Sequence, residues 1–340
     1  MASRRVNAPS IANPPAALPT TAGGAEFRSH RLQLPQEAAG LRFDQALARS
    51  LPQYSRARLK DWIDSGLVQV DGRPLRGKDK VLGGEQVQIE AQLPVQNAGV
   101  APESMPVEVV HKDRALLVIN KPAGLVVHPG AGNRAHTLQN ALLSLDPKLA
   151  LVPRAGLIHR LDKDTSGLLV IARTPEAHTA LVAAMAACEI TREYLAVCIG
   201  VVTAGATIDE PIGRHRTQRT RMVVRADGRP SVTHYRVLKR FRGHTLLRVT
   251  LETGRTHQIR VHLAHAGFPV IGDPVYGGRR RLVANCSARL EKQLRGFTRQ
   301  ALHAARLSLT HPTTGRELEF EAPVPKDMQQ LLDALEADSV

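Results

Sequence analysis

Residues His159–Gly167 form the densest group of side chains in the sequence that could do chemistry. They read His-Arg-Leu-Asp-Lys-Asp-Thr-Ser-Gly, and five of the first six are charged or titratable. Apolar runs flank them at residues 156–158 and 168–171, a pattern typical of buried strands. The group is therefore expected at a strand end held by the core, where an Asp can be desolvated, paired and made reactive. A solvated turn is the alternative, because Asp, Thr, Ser and Gly are common turn residues.

Asp162 and Asp164 are the candidate carboxylates of this segment. A two-carboxylate site of the glycosidase type needs its acids about 5–10 Å apart across a bound sugar, and neighbours on one turn provide that separation poorly. The simpler interpretation is one catalytic residue, Asp162, with Asp164 as a cap or turn residue. A buried catalytic carboxylate also needs a cation close by to stay ionised.

Arg255, within the segment Leu251–Arg260, is the candidate for that cation. Gly254 permits an unusual backbone angle, and Thr256 can cap a helix that ends before Gly267. Arg255 would then stand just ahead of a helix N-terminus, where its planar fork could hold a carboxylate through two hydrogen bonds.

The helix predicted after Arg255 has a buried face and a face left for a ligand. Ile259 and Leu263 form the buried face by their spacing. Gln258 and Arg260 then remain for contact with a ligand. A structural ion pair between Arg255 and some other acid is the alternative to the catalytic role, and the spacing does not decide between them.

No cofactor-binding or metal-binding motif is complete in this sequence. Gly130-Ala131-Gly132 lacks the third glycine and the helix start of a dinucleotide fingerprint, and there is no phosphate-binding G-x-x-x-x-G-K-[ST] motif. His257, His262 and His265 are close in sequence, but His257 falls off the helical face of the other two and no nearby carboxylate completes a ligand set. We therefore predict no cofactor and no metal, with these histidines structural or in contact with RNA.

The charge of the chain indicates its partner class. Lysine and arginine outnumber aspartate and glutamate by 46 to 31 among 340 residues, a formal net charge of +15. Such a charge favours polyanionic partners, nucleic acid ahead of a membrane surface. Three cysteines without C-x-x-C spacing indicate a reducing compartment and argue against disulfides. Because no apolar run approaches the ~20 residues that cross a bilayer, we expect a cytoplasmic protein with no membrane partner.

Residues 41–90 show the pattern of a compact module of two short helices and a β-hairpin. A first helical pattern of apolar residues ends at Pro52, and a second helix is predicted from Ser55 as N-cap to Gly66. Alternating residues on either side of Asp71-Gly72 predict the hairpin. This order of elements resembles the S4 RNA-binding domain.

The S4 resemblance implies RNA contacts on the second helix of the module. Arg56, Arg58 and Lys60 would then meet phosphates. An ordinary solvated helix face is the alternative for these three residues. The order of the elements and the charge of the whole chain favour RNA binding.

Proline content marks the boundaries between the predicted units. Ala91–Pro106 is the clearest linker, because it holds three prolines and Glu103 is its single charge. The first 25 residues hold four prolines and no acid, a composition typical of a disordered tail. The predicted organisation is a tail at 1–25, an S4-like RNA-binding domain at 26–90, a linker at 91–106, a large catalytic domain at 107–330 and a C-terminal tail at 331–340.

The large domain is predicted to be a mixed sheet with helices packed on it. Short apolar runs typical of strands outnumber helical stretches, and there is no regular βαβ rhythm. We therefore expect an α+β fold, with a small N-terminal S4-like α/β module and a larger domain built on a mixed, mostly antiparallel β-sheet with flanking helices.

Four segments, taken together and in order, resemble the motifs of the RluA-type pseudouridine synthases. The resemblance extends from about residue 41 to residue 325, with the S4-like module at its N-terminal end. It implies an isomerase that needs no cofactor. The segments are His159–Leu168, Ile190–Tyr194, Leu251–Arg260 and Gly272–Gly277.

The resemblance implies roles for four residues. Asp162 would attack the ribose C1′ or the uracil ring, or would start an elimination by taking a ribose proton. Arg255 would pair with Asp162 and keep it charged. Tyr194 would stack on the base near the site of proton removal from C5, although a core strand aromatic is the alternative. Arg160 would enter the base stack when the target uridine is flipped out.

Further basic runs fit a structured RNA. Arg214 and Arg216 begin an acid-free stretch that also holds Arg219, Arg221 and Arg225, and Arg279–Arg299 holds seven Lys or Arg against one Glu. Only 3% of the residues are aromatic, which argues against a platform that stacks many bases of a single strand. Phosphate contact and recognition of a folded stem-loop by its shape suit this composition better.

The branch of the family that the motifs most resemble implies a 23S rRNA substrate, either free or in a precursor of the large ribosomal subunit. Within it, we expect neighbouring uridines of the helix 69 stem-loop. We predict no obligate protein partner. The alternatives are a tRNA-specific synthase of the same family and a non-catalytic RNA-binding factor for ribosome assembly.

Overall fold

The computed structural model describes residues 26–52, 54–93, 97, 99–130, 132–218, 220–277, 284 and 286–339. The predicted N-terminal tail, Arg219, Arg279–Arg281 and part of the predicted linker lie outside the described residues. Among the described residues, no helix is long and apolar enough to cross a membrane.

The described residues form fifteen strands and seven α-helices, named here in chain order. The strands are β1 (Glu26–Gln33), β2 (Val68–Val70), β3 (Arg73–Pro74), β4 (Gln86–Leu93), β5 (Glu108–Lys112), β6 (Leu116–Lys121), β7 (Ser166–Ala172), β8 (Thr191–Ile199), β9 (Ala206–Asp209), β10 (Ile212–Arg214), β11 (Met222–Val224), β12 (Val232–Arg240), β13 (His244–Leu251), β14 (Leu302–Thr310) and β15 (Glu317–Glu321). The helices are α1 (Phe43–Ser50), α2 (Arg56–Asp64), α3 (Leu138–Leu145), α4 (Pro175–Ala186), α5 (Gln258–His265), α6 (Ala288–Gly296) and α7 (Lys326–Ala337).

The N-terminal module packs α1 and α2 against a four-stranded sheet of order β1-β4-β2-β3. Ser55 caps α2 as predicted, since its hydroxyl oxygen accepts a hydrogen bond from the Arg58 amide at 3.3 Å. Asp71 and Gly72 both have positive φ, as the predicted hairpin turn requires. The module has its own core, in which Phe43 and Trp62 are buried.

The large domain is built on a nine-stranded sheet of order β5-β6-β7-β14-β8-β13-β12-β9, with β15 paired to β14. Only the β7–β14 pair is parallel, and every other pair of this sheet is antiparallel. This arrangement confirms the predicted α+β fold and its mixed, mostly antiparallel sheet. A separate hairpin, β10–β11, packs against α5.

Strand β7 positions the polar group that precedes it. All seven of its residues are buried between β6 and β14. At Gly167, with φ +116, a Cβ atom would come within 2.2 Å of the Ala304 carbonyl oxygen, so the close approach of β14 requires glycine there. His159–Thr165 therefore leads directly into a rigid strand at the centre of the sheet, as predicted.

Two segments predicted to lie outside the domains are part of the folded structure. Strand β4 continues to Leu93, and the buried Asn97 contacts the large domain, so the predicted linker is not exposed throughout. The last ten residues were expected to be a tail, but residues 331–337 continue α7. That expectation is wrong because Leu331 and Leu335 are buried in the core of the large domain.

Candidate active site

Asp162 lies at the wall of a cavity of about 920 Å³ that opens beside β7. The turn that carries it is closed by a hydrogen bond from the Thr165 amide to the Asp162 carbonyl oxygen at 3.1 Å. Thr165 is itself buried and receives a hydrogen bond from the Gln300 amide side chain at 3.0 Å. A cavity of this size suits a nucleotide-sized ligand, and Asp162 is fixed at its edge.

Lys121, at the end of β6, stabilises this turn by hydrogen bonds to backbone carbonyl groups. Its side chain is fully buried, and its Nζ donates to the carbonyl oxygens of Pro122, Leu125 and Lys163 at 2.7–3.0 Å. Burial lowers the pKa of the Lys121 ammonium to about 7, against the opposing pull of Asp164 and Asp162. Lys163, which follows the candidate nucleophile in sequence, is thus hydrogen-bonded to a buried amine.

Arg260, on α5, makes the ion pair with Asp162. Its Nη1 donates to Asp162 Oδ2 at 2.9 Å, while its Nε and Nη2 hold both oxygens of Asp273 at 2.7 and 2.9 Å. Burial alone would lower the pKa of Arg260. The two carboxylates have the larger effect, and they raise this pKa above its usual range. Burial likewise opposes the charge of Asp273, but Arg260 holds the pKa of that carboxyl below its usual value. A permanent cation is therefore fixed against the Asp162 carboxylate.

The expectation that Arg255 forms this ion pair is wrong. Helix α5 begins at Gln258, and its N-cap is His257 in the left-handed conformation, so Thr256 does not cap it. Arg255 therefore lies in the preceding turn, where its Nε donates to the Pro230 carbonyl oxygen at 3.3 Å. It still lines the cavity, but it is farther from the Asp162 carboxylate than Arg260 is.

Gln258 was expected to face a ligand, and the structure places it in the protein interior. Its Oε1 accepts from the Thr253 hydroxyl and the Arg255 amide at 2.8 and 2.9 Å. Its Nε2 donates to the Val232 carbonyl oxygen and the Thr233 hydroxyl, both at 3.0 Å. Gln258 is 2% exposed and Arg260 is 4% exposed. Because protein partners occupy both side chains, we do not retain RNA contact for either.

His257 lines the cavity close to Asp162, and Tyr276 contacts His257. His257 Nε2 is 3.9 Å from Asp162 Oδ1, and its Nδ1 is 2.9 Å from the Tyr276 hydroxyl. Burial lowers the pKa of His257, partly offset by Asp162. The Arg260 guanidinium lies 5.1 Å from the centre of the Tyr276 ring, within the range of a cation–π contact.

Sequence reasoning missed three members of this group: His257, Asp273 and Tyr276. The signal was present for Asp273, since Gly272–Gly277 was recognised as a motif but assigned no role. Arg260 was recognised only as a ligand contact, although a buried arginine needs a carboxylate partner.

His262 is hydrogen-bonded to Thr233 and to the Glu210 carbonyl oxygen. Among the described residues, no group of three His, Cys, Asp or Glu could hold a metal ion.

Tyr194 lies in the middle of β8 and also lines the cavity. It is 5% exposed, and burial raises the pKa of its hydroxyl, with Asp162 acting in the same direction. The ring is therefore neutral near pH 7 and forms an apolar wall within the same cavity as Asp162. Both interpretations of Tyr194, core aromatic and base-stacking residue, fit this position.

The remaining predicted RNA contacts fall in three places on the surface. Arg160 is exposed at the rim of the cavity. Arg56 and Lys60 are exposed on α2 and Arg58 is half-buried there, with Arg56 3.5 Å from Asp44 Oδ2. Arg214 and Arg216 are exposed at the end of β10 and just beyond it. Only Arg160 is thus beside Asp162, and the other five lie on the N-terminal module and the β10–β11 hairpin.

Two family models match this chain. The model of the RNA pseudouridylate synthase family matches residues 115–265, and the model of the S4 domain matches residues 41–87. The first match includes Asp162, Tyr194 and Arg260. The second includes α1, α2 and the β2–β3 hairpin.

Individual proteins are similar over most of the chain. Ribosomal large subunit pseudouridine synthase D of Xanthomonas campestris pv. campestris is 53% identical over 306 residues, which are 90% of this chain and 92% of that protein. The protein of the same name in Escherichia coli K12 is 54% identical over 300 residues, 88% of this chain and 92% of its own. Among solved structures, human RNA pseudouridylate synthase domain containing 4 is 27% identical with a TM-score of 0.53, and the match covers 67% of this chain and 93% of that one.

Proposed function

We propose, from the premise that this chain belongs to the RNA pseudouridylate synthase family, that it isomerises uridines of large-subunit ribosomal RNA to pseudouridine. The family membership confirms the resemblance of the four sequence motifs. The observation that carries the proposal is Asp162, fixed at the wall of a nucleotide-sized cavity by its ion pair with Arg260.

The reaction that we propose rearranges one nucleotide without a cofactor. The bond between uracil N1 and ribose C1′ breaks, the uracil turns within the cavity, and C5 bonds to C1′. The hydrogen on C5 leaves as a proton and N1 gains a proton, so that nothing is oxidised or hydrolysed. Asp162 would attack C1′ or the uracil ring, or would take a ribose proton to start an elimination.

The surrounding side chains support that chemistry in different ways. Arg260 orients the Asp162 carboxylate, because its Nη1 donates a hydrogen bond to Oδ2 at 2.9 Å. We propose that Tyr194 stacks on the uracil near C5, since its ring lines the same cavity. Arg160 would fill the gap left in the RNA stack, which offsets part of the few kcal/mol that flipping a base costs. Arg255 lines the cavity beyond Arg260, and we no longer propose that it is the partner of Asp162.

The substrate that we propose is 23S rRNA, alone or in a precursor of the large subunit, with the helix 69 stem-loop as the target. The similarity to ribosomal large subunit pseudouridine synthase D supports the rRNA assignment. The net charge of +15 and the S4 domain support binding through phosphates. Action on this RNA would place the protein in the cytoplasm. We propose the same domain division as before, extended at its C-terminal end to include α7.

Mapping of pseudouridines in 23S rRNA from cells that lack the protein tests the substrate. We expect the helix 69 uridines to be unmodified in those cells and modified again when the gene is restored. Normal modification there, together with missing pseudouridines in tRNA, would indicate a tRNA-specific synthase. Normal modification of all RNA in the deletion strain would favour the non-catalytic assembly factor.

A further inference from the structure

A strained turn forms one lip of the cavity. Arg154 and Ala155 both adopt the left-handed conformation, with φ/ψ of 54/35° and 52/37°, and Gly156 follows with φ 78°. Three such residues in succession are unusual, because the left-handed region is costly for residues that carry a Cβ atom. Backbone strain of this kind persists only where the surroundings enforce it, and it often marks functional sites.

Asn97 enforces this conformation from the segment that joins the two domains. Its side chain is 7% exposed, and its Oδ1 accepts hydrogen bonds from the Ala155 amide at 3.0 Å and from the Gln139 side chain at 2.9 Å. Its Nδ2 donates to carbonyl oxygens before the turn, including that of Val152 at 2.9 Å. On the other side of the turn, a Cβ atom at Gly156 would come within 1.9 Å of the Ala172 carbonyl oxygen. The turn is thus fixed between Asn97 and β7.

The strained turn presents the Arg154 guanidinium at the cavity. Arg154 is exposed and lines the cavity with Arg160 and His128. Among the described residues, no acidic side chain forms an ion pair with it. Burial lowers the pKa of the His128 imidazole, and the positive charges of Arg154 and Arg160 lower it further. The Arg154 guanidinium therefore lies beside the catalytic pocket without a protein counterion, on a strained left-handed backbone.

We propose that Arg154 binds a phosphate of the substrate RNA next to the target uridine, and that Asn97 is a positioning residue that holds Arg154 there. The inference rests on the proposed function. The planar guanidinium suits a phosphate held by two hydrogen bonds. A purely structural role would not need a long, unpaired cation on a left-handed residue, since glycine or asparagine adopts that conformation at less cost.

Arg154→Gly tests the contact without disturbing the turn, because glycine accepts the left-handed backbone. We expect the Kd for a helix 69 stem-loop and the KM for pseudouridine formation to rise about tenfold, the loss of one charge-assisted contact. The kcat should stay within about threefold, since the contact binds ground state and transition state alike. Arg316→Gly, on an exposed turn outside the cavity, is the matched control and should change neither constant.

The outcomes separate this inference from the proposed function. If the wild-type protein forms no pseudouridine in the stem-loop, the proposed function fails, while the Kd values still report on Arg154. Unchanged Kd and KM in Arg154→Gly, or equal changes in Arg316→Gly, would overturn the phosphate contact. A fall in kcat at constant KM would also overturn it, because that pattern belongs to a residue acting on the chemical step.

A double-mutant cycle tests the positioning role of Asn97. Asn97→Ala should raise KM by a factor similar to that of Arg154→Gly, and the double variant should be no worse than Arg154→Gly alone. Additive effects on KM would show that Asn97 does not act through Arg154. If Asn97→Ala does not fold, Gln139→Leu replaces it in the cycle, because the Gln139 amide holds Asn97 Oδ1, and the same comparison decides.

Discussion

At the scale of single residues, the site depends on one arginine that holds two carboxylates. Arg260 is 4% exposed and bridges Asp162 to Asp273 with three of its nitrogen atoms. A buried ion pair of this kind adds little net stability, but loss of one partner leaves an uncompensated charge. The arrangement is therefore best understood as one that fixes the direction of the Asp162 carboxylate.

Substitutions of Arg260 and Arg255 test which of the two arginines is the partner of Asp162. Lysine keeps the charge but not the planar fork, so Arg260→Lys should lower kcat by about 100-fold or more through misplacement of Asp162. Arg255→Lys, at a cavity residue that does not touch Asp162, should lower kcat by less than about tenfold. Release of tritium from C5-labelled uridine in the RNA measures both rates. The reverse order of effects would restore Arg255 as the partner.

The identity of the residues was easier to predict than their partners. Asp162 became a candidate because a charged cluster precedes an apolar run, and Tyr194 because it belongs to an ordered set of motifs. The partner of Asp162 was misassigned because it depends on where α5 begins, and that start is set by the left-handed His257 and the buried Gln258. Neither feature follows the usual N-cap preferences, so local sequence could not fix the register.

At the scale of elements, the turn that carries Asp162 is held by the pairing of β7 with β14. At Gly167 the backbone of β14 comes so close that a Cβ atom would overlap Ala304. The parallel pairing places His303 opposite Ser166, and the Ser166 hydroxyl lies 2.9 Å from His303 Nδ1. Contact between two strands 137 residues apart in sequence therefore determines where the Asp162 turn lies.

Gly167→Ala should disrupt that pairing. The added Cβ atom would overlap the Ala304 backbone, so we expect the free energy of unfolding to fall by about 3 kcal/mol or more. Gly315→Ala is the control, since Gly315 also has positive φ but nothing within 4 Å of a Cβ atom. It should cost only about 1–2 kcal/mol, the left-handed penalty alone. Urea unfolding measures both, and equal losses would contradict the steric account.

Lys121 should make the stability of the protein depend on pH. Its pKa in the folded protein, about 7, is below the ordinary value of 10.5, so between these values the unfolded chain binds the proton and the folded chain does not. Stability should therefore rise with pH from about 7 towards 10, by at most about 1.4 kcal/mol per pH unit. Below pH 7 both states are protonated, and the full cost of the buried charge remains.

Urea unfolding at pH 7, 8 and 9 measures this dependence. Lys121→Met is less stable at every pH because it leaves buried carbonyl oxygens without a donor. Its slope with pH should nevertheless be shallower than that of the wild type. Equal slopes in the two proteins would mean that the Lys121 amine keeps its ordinary pKa.

Elements with strong local signals were predicted well. The Ser55 cap, the Asp71-Gly72 turn and the apolar run at residues 168–171 within β7 each match the structure, because each is determined by its own residues. The order of the nine strands and the helical C-terminus were not predicted. These depend on contacts distant in sequence, such as Leu331 and Leu335 in the core of the large domain.

At the scale of the whole molecule, exposed positive charge occurs in two separate regions that we propose bind RNA. One is α2 of the S4 domain, with Arg56 and Lys60, and the other is the cavity rim with Arg154 and Arg160. We propose that one folded RNA stem contacts both regions. The sequence predicted the charge and its RNA partner, but only the fold shows which cations stand beside the cavity.

Removal of charge from α2 should weaken binding without affecting chemistry. For a double Ala variant at Arg56 and Lys60, we expect the slope of log Kd against log salt concentration to fall by about 2, one for each phosphate released. The kcat at saturating RNA should stay unchanged. The matched control replaces Arg316 and Lys326, two exposed cations outside the predicted RNA contacts. An equal fall in slope for the control would mean that only total charge matters.

The most direct measurement of the central claim is pseudouridine formation by Asp162→Asn on the helix 69 stem-loop, with RNA binding measured in parallel. The account predicts that product formation falls by at least about 1,000-fold, while Kd stays within about threefold because the amide keeps the shape of the carboxylate. Asp164→Asn, on the same turn, should keep activity within about tenfold. Pseudouridine formation by Asp162→Asn at close to the wild-type rate would contradict the account.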